Sequence, residues 1–210
     1  MKIKKQIVRL CKFFFRVRKF RGNKNHIYAK NSAFLGCSFS FKGKHNDLVA
    51  DDCFFYKCKF LFLGSNNKIS IGSNCSFKYV TFWIEDDGNF IIIGNNCSFC
   101  GKAELACLEG TKIVIGDSLL CSSDVHFRTS DSHSILNLER KRINFAKDII
   151  VGNHVWICQR TAILKGSVLP DNSVLAYGSV ATKRFSTKNC IIGGVPAKII
   201  KTDIDWMGER

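Results

Sequence analysis

The sequence is poor in the features that divide a chain or carry it through a membrane. Only two of its 210 residues are proline, and no stretch has the composition of a flexible linker, so it reads as one domain. The apolar run Phe13-Phe14-Phe15 is far shorter than the ~20 residues a spanning helix needs. It is interrupted by charge on both sides and followed by no small-residue cleavage site, which argues against a signal peptide. Acid is missing from the start: the first acidic residue is Asp47. Paired cysteine spacing is missing as well. The eleven cysteines are odd in number, and Cys97 and Cys100, two residues apart, have no matching second pair. Neither a disulfide framework nor a metal site is expected, and small buried thiols in a reducing compartment are the simpler reading.

The charge that is present is uneven. Thirteen of the 32 Lys and Arg fall in residues 1–46, leaving 19 against 17 acids in the remainder. The formal +15 is therefore largely a property of the first segment. Within residues 1–24, Ile3, Ile7, Leu10, Phe14 and Val17 lie at helical spacing with Lys and Arg between them. This pattern predicts a short basic amphipathic α-helix, suited to an anionic membrane surface or to capping the end of a repeat stack; the two roles are compatible. Nucleic acid is disfavoured, because the rest of the chain is nearly neutral and has no basic stripe with interleaved aromatics.

What dominates the chain is repetition. Ile71-Gly72, Ile93-Gly94 and Ile115-Gly116 recur every 22 residues, and the same step backwards lands on Val49 and Ile27. Cys53, Cys75 and Cys97 form a second ladder and Phe55, Phe77 and Phe99 a third. The turns Ser65-Asn66-Asn67, Asp87-Gly88-Asn89 and Glu109-Gly110-Thr111 keep the same phase. From Val151 the period tightens to six: Val151, Ile157, Ile163, Leu169, Leu175, Ala181. One inward aliphatic every six residues leaves no amphipathic helical stripe. It gives short extended runs joined by Gly, Asn, Asp or Ser turns, stacked so that each coil buries its neighbour's apolar face. The fold class expected is all-β, a parallel β-helix over residues 25–201 with a tail at 202–210. The step of 36 from Ile115 to Val151 reads as two coils of 18. It contains an irregular stretch at about 130–147, expected to be a loop thrown out of the coil, and loops of this kind are usually functional.

The segments Val151-Gly152-Asn153-His154-Val155-Trp156-Ile157, Ser179-Val180-Ala181-Thr182-Lys183 and Gly193-Gly194-Val195-Pro196-Ala197-Lys198 together resemble the hexapeptide-repeat acyltransferase superfamily. Within it the chain is most similar to bacterial surface-polysaccharide O-acetyltransferases of the polysialic acid capsule type. The resemblance implies a left-handed parallel β-helix, an exception to the usual crossover hand. It also implies a homotrimer with active sites at subunit seams, acetyl-CoA as acetyl donor and a glycan acceptor. The chain is accordingly expected in the cytoplasm, peripheral to the inner face of the bacterial cytoplasmic membrane.

The segment Thr129-Ser130-Asp131-Ser132-His133-Ser134-Ile135 resembles the loop carrying the catalytic histidine, which makes His133 the expected general base. A neutral imidazole suits the removal of a proton from a sugar hydroxyl. His126 is the second choice, and Asp131 is a candidate for orienting the ring. Trp156 is expected to line the site, its indole N–H or a backbone amide serving the developing oxyanion. Gln159, Tyr177, Thr182 and Lys183 are carried over as cofactor contacts, with Lys198 and Lys201 for the CoA phosphates. Cys158 and Tyr177 stand where the family has smaller residues and add bulk on the expected cofactor path.

Three other readings compete. An acetyltransferase for a small soluble acceptor, such as an amino sugar or sugar nucleotide, would use the same base, but leaves the basic helix without a role. A carbonic-anhydrase-like zinc site would need His126, His133 and His154, whose separations of 7 and 21 do not match. A non-catalytic scaffold is permitted by the fold alone but leaves the His133 loop unexplained.

Overall fold

A computed structural model describes residues 16–20 and 24–209. Each repeat supplies three short strands, and the strands stack into three parallel sheets that form the sides of a prism. The first face has eight strands, from Arg16–Phe20 to Val180–Ala181. The second has seven, from His26–Lys30 to Val168–Leu169. The third has nine, from Ala33–Leu35 to Ala197–Lys201, and the seven strands of the second face count the coils. The last pairing, Ile191–Gly194 with Ala197–Lys201, is antiparallel and ends the stack around Pro196. The helix expected over residues 1–24 lies mainly outside the described residues. Arg16–Phe20, within that range, is a strand parallel to Ser38–Phe41. No helix among the described residues is long and apolar enough to cross a membrane.

The ladders emerge as columns through the core. Phe55 stacks on Phe77 and Phe77 on Phe99, each pair with ring centroids 4.9 Å apart. A second column runs Phe39, Phe60 and Phe82, with 4.8 Å between successive rings. Such pairs add about 0.5–1.5 kcal/mol each beyond the area they bury. The 18-residue coils align Val151 with Leu169, Ile157 with Leu175 and Ile163 with Ala181, all buried. The cysteine ladder is a row of buried thiols, each donating to the carbonyl one coil on: Cys53 to Gly72, Cys75 to Gly94 and Cys97 to Gly116.

Two details of the expected register are corrected. Ile71 pairs with Ala50, not Val49, and Ile27 shares its row with Leu48 and Ile69. The earliest coils are one residue shorter than 22. Because strand side chains alternate, that single residue turns Val49 outward and Ala50 into the core. Likewise Ile115 pairs directly with Val151. The step of 36 is one coil of 18 plus an extruded loop, not two coils.

One polar column decides where that loop leaves. At the corner between the first and second faces the backbone N–H of Asn46 donates to the Asn25 side chain, Asn67 to Asn46, Asn89 to Asn67 and Thr111 to Asn89. Each bond satisfies a corner amide that the coil cannot pair. The column ends in a threonine pair, the Thr111 hydroxyl lying 2.7 Å from that of Thr129, which also accepts from the Leu108 amide. After Thr129 the chain departs from the prism and returns at Lys147, whose amide donates to the Thr129 carbonyl.

Candidate active site

The loop is held against the prism by a network of charged and amide groups. The Arg142 guanidinium bonds both oxygens of Glu109, at 2.8 and 2.9 Å, and the Ser130 hydroxyl donates to the same carboxylate. Asn144 is buried inside the loop. Its Nδ2 donates to Asp131 and to the His133 carbonyl, both at 2.8 Å, while its Oδ1 accepts from the Ile135 amide at 2.7 Å. Lys165 Nζ bonds Asp131 and donates to the Asn144 carbonyl. His133 is thus fixed through its backbone on a short rigid segment while its side chain stays exposed.

Asp131, a candidate for orienting the imidazole, is instead engaged by Lys165 and Asn144. Those bonds, Lys165 first, hold its carboxyl below the ordinary carboxylate range; Arg142 and Ser130 do the same for Glu109. A depressed carboxylate contributes anchoring that is present above its unfolded pKa and lost as pH falls through its folded one. The Ile135 amide should therefore stay protected from hydrogen exchange at neutral pH and lose protection below about pH 4. Amides of the Phe90–Ile93 strand should remain protected over that range. Protection of Ile135 that survives to strongly acid pH would show that the loop does not depend on these carboxylates.

Beside the loop lies an open groove of about 440 Å³, lined by Glu85, Asp86, Leu108, Glu109, Ser132, Ser134 and Arg142. The two serines that bracket His133 thus form one of its walls. The opposite wall is the coil corner at Glu85–Asp86 and Leu108–Glu109. His126, the second choice for the base, is half-exposed on the Val125–Arg128 strand, 3.9 Å from Glu104, whose carboxylate pairs more closely with Arg128 at 3.1 Å.

The remaining expected site residues are spread over the C-terminal coils. Trp156 stands on the third face. Gln159 and Tyr177, one coil apart, share the corner between the third and first faces, and Tyr177 lies under the Arg160 guanidinium. Thr182 and Lys183 follow the last strand of the first face. Lys183 is one coil of 18 above Lys165, so the loop anchor and this expected cofactor contact occupy the same corner. Lys198 and Lys201 are exposed on the closing strand. Within one chain, then, His133 and Trp156 lie on different parts of the prism.

Sequence reasoning did not find Glu109, Arg142, Asn144 or Lys165, and it missed the tail. Trp206 folds back so that its indole N–H donates to the His154 carbonyl at 3.0 Å. Its ring stacks on His154 at 4.3 Å and leans on Trp156 at 6.0 Å. His154 is half-buried under this ring and 3.3 Å from Asn172. The available signal was the 18-residue period, which sets Lys165 one coil before Lys183; Asn144 and Trp206 lie outside any period.

In fold and in sequence the chain is like the hexapeptide-repeat acetyltransferases. More particularly, it is similar to polysialic acid O-acetyltransferases. It is 37% identical over 95 residues to the enzyme of that name from Escherichia coli O1:K1, covering 45% of this chain and 31% of the relative. It is 36% identical over 107 residues to the one from Neisseria meningitidis, covering 50% of each. A crystal structure of a polysialic acid O-acetyltransferase superposes with a TM-score of 0.82 at 27% identity, covering 90% of both chains. The sequence matches span between about a third and a half of the length of these curated relatives. No family model matches the chain.

Proposed function

We propose that this protein is an acetyl-CoA-dependent O-acetyltransferase that modifies a hydroxyl of a bacterial capsular or lipopolysaccharide glycan, of which polysialic acid is the leading candidate. The observation that carries this reading is the anchored His133 loop walling a sugar-sized groove; the relatives named above support it.

In this reading the acceptor lies in the groove, where Ser132, Ser134, Glu85 and Asp86 present acceptors for sugar hydroxyls. His133 takes the hydroxyl proton as that oxygen attacks the acetyl carbonyl. The Trp156 N–H or a backbone amide stabilises the charge on the carbonyl oxygen, and His133 then holds the proton that the leaving sulfur takes up. Acetyl-CoA supplies the activated thioester. The exposed ammonium groups of Lys183, Lys198 and Lys201, with Gln159, Tyr177 and Thr182 at the coil corners, form a donor set that fits a chain bearing phosphates and amides. Cys158 is half-buried and Tyr177 exposed, so both bulky departures narrow that path without closing it.

Because His133 and Trp156 stand apart in one chain, the reading also calls for copies of the chain to bring them together, as a homotrimer with left-handed coils. It places the chain in the cytoplasm, with the basic segment of residues 1–24 against the anionic inner membrane face. The carboxylates of Glu85 and Asp86 favour one second reading, N-acetylation of an amino sugar, since they suit a cationic amine. The test is CoA thiol release from acetyl-CoA with polysialic acid, other bacterial glycans and amino sugars as acceptors. Glycan-dependent release is the expected result; release with amino sugars alone would select the second reading, and none with any acceptor would remove both.

A further inference from the structure

In the N-terminal half of the prism the corner between the third and first faces carries aromatic and cationic side chains. Most coils turn this corner through a residue in the left-handed backbone region, and at the two ends of the run that residue is glycine, Gly36 at φ 66° and Gly178 at φ 70°. Between them the position is held by Lys57 at φ 51°, Tyr79 at φ 57°, Asp124 at φ 62° and Arg160 at φ 58°. Left-handed residues other than glycine recur at corners throughout the described chain, so it is the side chains of Lys57 and Tyr79, not their backbone, that set them apart.

Their side chains form a cluster. Tyr56 and Tyr79 meet edge to face with centroids 5.3 Å apart. The Lys57 ammonium lies 5.2 Å from the Tyr56 ring and 5.6 Å from that of Tyr79. Tyr79 is 47% exposed. Lys78 and Lys102, both exposed, continue the row on this and the next coil. Successive coils advance by about 4.8 Å, so cations and ring faces recur at a step comparable with one sugar unit of an extended polysaccharide. The same corner leads, about four coils or 19 Å further, to Tyr177, one of the expected cofactor contacts, and to the Arg160 that lies over its ring.

We propose that Tyr56, Lys57, Lys78, Tyr79 and Lys102 form a binding ridge for an acidic polysaccharide, which lies along the prism at the opposite edge of the first face from the acceptor groove. The tyrosine faces stack on sugar rings, as aromatic faces do on planar or apolar ligand surfaces, and the lysines pair with the carboxylates. The proposal rests on the glycan reading above and makes the acceptor a polymer. It assigns the ridge to processive or length-dependent capture rather than to the transfer step.

The test is binding of long-chain polysialic acid to the full chain, without acetyl-CoA, compared with the Lys57→Asn/Tyr79→Asn variant. Asparagine accepts the left-handed backbone, so the variant should melt at the same or a higher temperature. The basic segment 1–24 is present in both proteins and cancels. Affinity for the polymer is expected to fall on the order of tenfold, a change that a neutral glucose polymer would not show. Turnover of a monomeric sialic acid acceptor should be unchanged. Equal binding by variant and wild type would overturn the ridge, as would duplex DNA that binds and responds to the variant like the polymer, since the patch would then be a bare ion exchanger. Loss of ridge-dependent binding concerns this proposal alone. A protein that binds the polymer through the ridge yet transfers no acetyl group would instead refute the function proposed above.

Discussion

Replacing His133 by alanine should lower acetyl transfer to the glycan by about 10²–10⁴-fold, the range typical for loss of a positioned general base. The fall should appear in kcat, with little change in acetyl-CoA binding. The imidazole is exposed and makes none of the bonds that hold the loop; these run through its backbone carbonyl, Asn144 and Asp131. The variant should therefore melt with the wild type, which separates loss of chemistry from loss of structure. A variant that retains most of its activity would move the base elsewhere, His126 being the next candidate.

The largest expected effect on stability comes from a position with no side chain. A methyl group added at Gly64 would lie 2.0 Å from the Asp86 carbonyl oxygen and 2.3 Å from its carbon. Those atoms belong to the next coil's backbone, which the Asn67 side chain ties at 2.9 Å to that carbonyl. The clash cannot be relieved by turning a rotamer; the coils must separate at this corner. Gly64→Ala should cost upwards of about 3 kcal/mol and lower the thermal midpoint by many degrees. Gly208→Ala, where nothing lies within 4 Å, is the matched control and should be neutral. Comparable midpoints for the two variants would mean that the coils are not packed as closely as described.

These two expectations also show what could be read from the sequence. The prism was legible because its order is local and repeated: a six-residue step places an aliphatic inside whatever surrounds it, and Phe55, Phe77 and Phe99 mark successive coils without further information. The His133 loop was legible as the place where repetition stops. Register was harder. Val49 and Ala50 are both small and apolar, and only the shorter early coils decide which one faces inward. The loop's anchors were not legible. Glu109 stands in a repeated turn and Arg142 in a charged run, and nothing in either pattern joins two residues 33 positions apart. Trp206 lies beyond the last repeat, so its contact with His154 depends on how the chain doubles back after Lys201.

The asparagine column has a further consequence. Since every coil is secured by its neighbours alone, the molecule's height is independent of its chemistry. The column from Asn25 to Asn67 behaves as a set of like storeys below the coils of Glu85 and Glu109, so that a whole storey there could be gained or lost without disturbing the threonine pair above, where the loop departs. Divergence among such proteins is thus expected to run in whole storeys below that floor rather than at it.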